Sequence, residues 1–225
     1  MASKGIYAKA DGAWRNIKTL YVNVGGSWFK AYEGWNSATG GTVTDVDDYN
    51  GTGQKWRVHT FTSSGTFTVQ VADQPFRVLV GGGGGGGAGG GGAAGASGSG
   101  GRIWTSDAYS FQQGQAVAAD IGAAGRAGAA KSDGGPGGAT TFGDVATCGG
   151  GAQGRAYPNG KPPYNANVTS DISGSEAKYG NVTPTESTPP QPTWGGCGDG
   201  GGHGLSGQPG HPGGPGVVIV AYQIG

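Results

Sequence analysis

Charge of one sign, cysteine and long apolar runs are all scarce in this 225-residue chain. Its 14 basic residues balance 14 acidic ones and no basic run occurs, so the electrostatic footprint of a nucleic-acid-binding protein is missing. No stretch of about 18 apolar residues exists, which excludes a helical membrane span. Cys148 and Cys197 are the only cysteines, too few to staple a chain of this length. The opening residues, MASKGIYAKADG, hold no apolar core of the kind a signal peptide needs, so the expectation is synthesis in a cytoplasm and arrival by assembly. Three histidines are scattered among the acids, and no Ser/His/Asp or paired-carboxylate constellation stands out. No enzymatic activity and no cofactor are expected.

What the chain has in abundance is glycine, 54 residues of it. Fifteen of the 21 residues from Gly81 to Gly101 are glycine, and the others are Ala or Ser. Each glycine costs a helix roughly 1 kcal/mol relative to alanine. An ordinary strand fares no better, having no side chains to pack. Two readings remain. One is a flexible linker. The other is a bundle of extended three-residue-per-turn helices, packed closely because no Cβ keeps them apart and joined by backbone hydrogen bonds. The flanks favour the bundle. Phe76-Arg77-Val78-Leu79-Val80 leads into the glycine and Val217 to Tyr222 leads out of it, and a linker is expected to join two domains, whereas almost nothing follows the second run in this sequence.

The fold class expected is mostly β and irregular, in three parts. Residues 1–36 read as a small β-meander with two-residue turns at Asp11-Gly12 and Gly25-Gly26, each followed two residues later by a tryptophan. A unit of about 36 residues is too small to bury Trp14, Trp28 and Trp35, which become candidates for oligomerisation or attachment. Residues 37–55 read as a polar linker. Residues 56–225 form a β-framed glycine-rich domain, with Phe76–Val80 as a central strand and Val217–Tyr222 as its partner. Within it, residues 152–194 stand out as a long insertion with seven prolines, three tyrosines and one tryptophan. Beyond the insertion, three G-x-P triplets between Gly207 and Pro215 suit an extended three-fold helix, and 195–216 is expected to join the bundle.

Several motifs fail on spacing. Asp45, Asp47, Asp48 and Asn50 lack the twelfth-position glutamate of a calcium loop. Gly125 to Ser132 misses the phosphate-loop pattern, because Ala130 stands where the glycine before Lys131 belongs. Cys148, Cys197, His203 and His211 show no paired zinc-ligand spacing. No metal is expected. Cys148 and Cys197 each adjoin glycine, so closely packed rods could bring them within disulfide range.

One ordered series is more specific than glycine alone. It runs from His59-Thr-Phe-Thr to Val78-Leu-Val80 and poly-Gly, then Val117 to Gly122, Thr140-Thr-Phe-Gly143, Thr147-Cys-Gly-Gly-Gly151 and Gly216-Val-Val-Ile-Val-Ala-Tyr222. This resembles the glycine-rich domain of bacteriophage minor tail and tail-tip proteins, over about residues 56–225. The Trp hairpins of 1–36 resemble a module at the N-terminus of such proteins. The resemblance implies a virion protein at the distal tail, without enzymatic activity, whose polyglycine helices carry host-contacting loops. The insertion departs from the short glycine loops of that pattern.

Recognition would fall to the rings that interrupt glycine: Trp104 and Tyr109, then Tyr157, Tyr164, Tyr179 and Trp194 in the insertion. Flat rings stack on sugars and concentrate binding energy. The partners expected are further copies of the chain in a trimer, other tail proteins through the N-terminal module, and a host surface glycan or protein. Two alternatives are a purely structural tail component and a secreted glycine-rich wall protein. The latter suits the sequons at Asn50, Asn167 and Asn181 but not the missing signal peptide.

Overall fold

The computed structural model describes residues 7–17, 19–156, 168–173, 177–179 and 207–225. Two hairpins come first. β1 (Tyr7–Ala10) pairs with β2 (Ala13–Asn16), and β3 (Thr19–Val24) with β4 (Ser27–Glu33), each as a separate two-stranded sheet. Their turns have positive φ at both central residues, Asp11-Gly12 and Gly25-Gly26, as the right-handed twist of a tight hairpin requires.

Of residues 37–55, expected as a linker, 37–39 and 42–46 are instead built into the sheets. β5 (Ser37–Thr39) and β6 (Thr42–Val46) are edge strands of two different five-stranded sheets. The chain crosses between them at Gly40-Gly41, both at positive φ, and a Cβ at Gly40 would lie 2.1 Å from the Thr66 carbonyl oxygen. The polar composition that suggested a linker is that of exposed edges.

The remaining strands are β7 (Trp56–Phe61), β8 (Gly65–Val71), β9 (Phe76–Gly81), β10 (Ile103–Tyr109), β11 (Ala116–Asp120), β12 (Thr140–Phe142), β13 (Ala146–Cys148), β14 (Val168–Ser170), β15 (Ala177–Tyr179) and β16 (Val217–Gln223). One sheet has the order β10-β9-β16-β7-β6, the other β13-β12-β11-β8-β5, and all pairings are antiparallel. β14 and β15 pair with each other. β16 is central and pairs with β9 on one side and β7 on the other.

The unbroken apolar run of β16 follows from burial on both faces. Val218, Val220 and Tyr222 pack with Phe67, Phe76, Phe111 and Phe142 between the sheets. Val217, Ile219 and Ala221 face the other way, onto Tyr49, Val58, Leu79 and Ile172. His59 is fully buried in the first layer. Its Nδ1 lies 2.7 Å from the Gly40 carbonyl, which can only accept, so Nδ1 carries the proton and Nε2 accepts from the Tyr222 hydroxyl at 3.1 Å. Burial holds the imidazole below its usual pKa, and it is neutral.

Beyond β9 the chain becomes a rod of three-residue repeat. All ten amides from Gly82 to Gly91 donate to backbone carbonyls, in strict rotation to three neighbours. Gly82, Gly85, Ala88 and Gly91 donate to Arg102, Ser99, Ala96 and Ala93. Gly83, Gly86 and Gly89 donate to Gly138, Gly135 and Ser132. Gly84, Gly87 and Gly90 donate to Gly214, His211 and Gln208. Partner numbers fall as donor numbers rise, so these three rods run antiparallel to the central one. Two parallel rods donate to it instead. Gly125, Gly128 and Lys131 bond Gly84, Gly87 and Gly90, while Gly151 and Gly154 bond Gly83 and Gly86.

Neighbouring outer rods are also bonded, which orders them around the centre as 93–102, 149–155, 132–138, 122–131 and 208–216. No described residue from 81 to 101 has positive φ. This is the extended glycine helix bundle expected for 81–101. Of the stretch 195–216, only 207–216 lies within the described residues. The G-x-P triplets now have a physical reason. Gly210, Gly213 and Gly216 face the 122–131 rod and are buried, while Pro209, Pro212 and Pro215, which have no N–H to satisfy, are exposed.

Candidate interaction surfaces

The molecule has two ends, set by β9. Its N-terminal end adjoins the 72–74 turn, where the Asn36 side chain accepts from the amides of Asp73 and Gln74 and donates to the Gln74 carbonyl. The hairpins of 7–33 therefore join the sheets at the end remote from the glycine. At the other end, β9 runs into the central rod, whose far tip is Gly91. The tip is formed by the 91–93 turn, the turn at Lys131 with φ of 65° and the last residues of the 149–155 rod. Ala156, inside the 152–194 insertion, and Gly207, in the glycine stretch that follows it, both lie at this tip. Ala156 donates to Asp133 and Gly207 to Gly90.

Of the six recognition candidates, the structure brings two together. Trp104 and Tyr109 lie on the edge strand β10 with rings edge-to-face at 6.2 Å. Trp104 is opposite Val80, beside the base of the bundle, and Tyr109 is opposite Phe76, toward the N-terminal end. Both are half-buried against the inter-sheet core, and Tyr109 packs on Phe111 at 4.7 Å. Part of each ring is thus committed to packing. The exposed side of Tyr109 lines an open polar cleft of about 580 Å3 with Ser110 and Gln112 to Gln115. Tyr179 is in β15 opposite Val168, and its side chain lies outside the described residues. Tyr157, Tyr164 and Trp194 lie outside them altogether, as does Cys197. Cys148 is buried, its thiol donating to the Val80 carbonyl at 3.2 Å. Burial pushes that thiol up, away from the reactive thiolate.

A polar node escaped the sequence reading. Arg77, in the middle of the apolar strand β9, reaches three partners from different parts of the chain. Its guanidinium contacts Asp107 at 2.9 Å, Asp171 at 2.5 Å and the Tyr49 hydroxyl at 2.9 Å. The Tyr49 hydroxyl donates in turn to the Ile172 carbonyl at 2.8 Å, and Asn50 donates to Asp171 at 2.6 Å. Tyr49 stacks on Trp56 at 4.4 Å, and burial pushes its phenol up to about 12. The result pins residues 171–173 of the insertion to the flank of the sheet, with Ile172 buried beneath. The sequence signal was a lone cation inside an all-apolar strand, which demands a partner.

The N-terminal hairpins offer a different surface. In the β3–β4 pair Leu20, Tyr21, Val22, Val24 and Trp28 are all exposed, Trp28 to 69% and Val24 to 64%. Apolar side chains thus stand on both faces of the hairpin. Trp35 is half-buried, and the side chain of Trp14 lies outside the described residues. Among the described residues no cluster of three His, Cys, Asp or Glu is placed to hold a metal, and no helix is long and apolar enough to cross a membrane.

No curated protein matches the chain. The family model for a glycine-rich domain matches residues 62–188, more than half of the chain and the stretch that holds strands β8 to β15 and all the described rods but 208–216, so the chain belongs to the glycine-rich domain family.

Proposed function

We propose that this chain is a virion protein of a bacteriophage tail tip or fibre, contributing to recognition of the host cell. The observation that carries the reading is the polarity of the molecule. Apolar hairpins suited to attachment join one end of the sheets, and a glycine bundle projects from the other. The bundle has almost no side chains with which to discriminate a ligand. Its use is to hold other segments rigidly at low bulk. The aromatic and Pro-rich insertion departs from that bundle at its tip, and its tyrosines and Trp194 are the groups able to stack on a surface glycan or pack on a surface protein. The hairpins would bury Trp28 and its apolar neighbours against further copies of the chain, as a trimer, or against other tail proteins.

Removing residues 157–194 from the protein in the assembled phage tests this. Adsorption to host cells is expected to fall at least tenfold, with particles of normal morphology. Unchanged adsorption would exclude the insertion as the contact surface. A purely structural role in the tail tip is the second reading. The Arg77 node favours it, because that node commits part of the insertion to packing on its own sheet.

A further inference from the structure

Neither the tip nor the hairpins account for the cleft at the end of β10. It lies where Tyr109, opposite Phe76, meets the 110–115 loop that leads into β11. That is the hairpin end of the sheets, remote from the glycine bundle. Its volume of about 580 Å3 falls within the roughly 300–1,000 Å3 of ordinary ligand sites. The lining residues are Tyr109, Ser110, Gln112, Gln113, Gly114 and Gln115. None of them is charged and none has an aliphatic side chain. The carboxylate nearest in sequence, that of Asp107, is paired with Arg77.

The loop is held in place by the core beneath it. Phe111 is buried between the sheets. The carbonyl of Val69, a fully buried residue of β8, accepts from the Gly114 amide at 2.8 Å, and the Val69 amide donates to the Gln115 carbonyl at 2.9 Å. The Gln115 amide donates to the Gln112 carbonyl at 3.1 Å, closing a turn in which Gly114 supplies a φ of 81°. The Gln115 side chain is held as well. Its Oε1 accepts from the Gln112 amide at 2.9 Å, which leaves Nε2 as the donor of that carboxamide. Gln112 and Gln113 are exposed, and each carries a further donor and acceptor. A Cβ on Gly114 would meet nothing within 4 Å, so the main chain there is open to approach.

The lining narrows the chemistry of an occupant. A charged ligand would find no counter-charge and would lose hydration without return. An apolar ligand, or a peptide anchored by apolar side chains, would find only one ring to pack on. Carboxamides donate and accept at once, and so does a sugar hydroxyl. A tyrosine ring stacks on the C–H face of a pyranose through its apolar body. We propose that this cleft binds a neutral sugar unit of a glycan chain. Tyr109 is the stacking platform, and Gln112, Gln113 and Gln115 bond the hydroxyls. The fixed turn and the fixed Gln115 reduce what binding must order. The cleft is open, which suits a unit within a chain.

This site goes beyond the tip reading. It lies at the other end of the molecule and uses none of residues 157–194. Because β10 is an edge strand, the contact it makes is lateral.

Residue-resolved NMR titration of the full-length protein tests the site. The neutral probes are maltotetraose, cellotetraose and the tetramer of N-acetylglucosamine. At least one is expected to shift the amide signals of residues 109–115 and the side-chain amides of the three glutamines. Tetragalacturonic acid, with a carboxylate on every unit, is expected to bind at least about tenfold more weakly. Gln113→Ala, a change at an exposed position, is expected to weaken binding at least about threefold, and Tyr109→Leu at least about tenfold. Tyr109→Phe, which keeps the ring, should change it less than about threefold. No response to any of the three neutral probes, or a response confined to other residues, would overturn the proposal. So would equal binding of tetragalacturonic acid. A response of residues 109–115 only to a neutral peptide such as Ser-Asn-Ser-Asn would overturn it too and assign the cleft to a protein partner. Removing residues 157–194 is expected to leave the titration unchanged, so failure of tip recognition and failure of this site are read separately.

Discussion

The sheets and the glycine bundle are two solutions to one problem, joined at Gly81. The sheets are held by side chains. Phe67, Phe76, Phe142 and Tyr222 are fully buried, and a core of this kind gains roughly 25 cal/mol for each Å2 of apolar surface removed from water. The bundle buries only small side chains, Ala88, Ser97 and Ser99 among them. It is held by backbone hydrogen bonds, about one per residue along the central rod, each worth about 0.5–1.5 kcal/mol net. Ordering a residue costs about 1–2 kcal/mol, and for glycine more than for any other, so the two terms nearly cancel. The bundle therefore depends on the whole set of bonds being made at once. The sheets can lose a methyl group gradually; the bundle has no such intermediate.

Substitutions sharpen that contrast. Gly86→Val is expected to have the largest effect, because a Cβ there would lie 1.9 Å from the Arg126 carbonyl oxygen, which belongs to backbone and cannot swing away. A loss on the order of 4 kcal/mol or more is expected in denaturant titration. Gly92→Ala, where nothing lies within 4 Å, should stay within about 0.5 kcal/mol. In the sheets, Phe67→Ala should cost about 3–5 kcal/mol. If Gly86→Val were the milder change, the close packing of the rods would be refuted.

Arg77→Met comes next. It keeps the stem but strands Asp171, and a loss of about 1–3 kcal/mol is expected, with faster amide exchange confined to residues 171–173. An unchanged exchange pattern would mean that Ile172 alone holds the insertion to the sheet.

Much of the sheet frame was legible because β-strands announce themselves through side chains. The turns at Asp11-Gly12 and Gly25-Gly26 were readable from their turn residues, and the pairing of Phe76–Val80 with Val217–Tyr222 from their unbroken apolar runs. The bundle was legible only as a class. Glycine carries no mark of which rod it faces, so the neighbour order follows from bonds that composition cannot display. Residues 37–55 were misread because edge strands and linkers share a polar composition. The Arg77 node was missed because its partners at 49, 107 and 171 are distant in sequence and meet only once the sheet is formed. Of the recognition candidates, only Trp104 and Tyr109 were seen to meet, because the remaining rings lie beyond the described side chains.

A smaller effect separates the regions by pH. His59 is neutral in the folded sheets, while in the unfolded chain it takes up a proton below about pH 6.5. Stability should be full above that value and fall as pH drops through it, toward the depressed folded-state pKa. The Arg57 guanidinium, by its hydrogen bond, holds Asp45 below 3.8, so the contribution of that carboxylate is lost only in more acidic solution. His59→Gln should flatten the profile between pH 7 and pH 5. An unaltered slope would place the titrating group elsewhere. The smallest effect on stability is expected for Trp28→Ser, which should leave Tm within about 1 °C and convert an oligomer to monomer in light scattering. A monodisperse monomer from the unsubstituted chain would refute the proposed role of the hairpins.

The most direct test of the central claim is amide exchange along residues 82–91, compared with β16. If the rods form one cooperative hydrogen-bonded unit, every amide from Gly82 to Gly90 exchanges at nearly the same slow rate, with no dependence on local side chains and within about tenfold of Ile219 and Val220. Exchange of those glycines within seconds, at the rate of an unstructured chain while β16 stays protected, would contradict it.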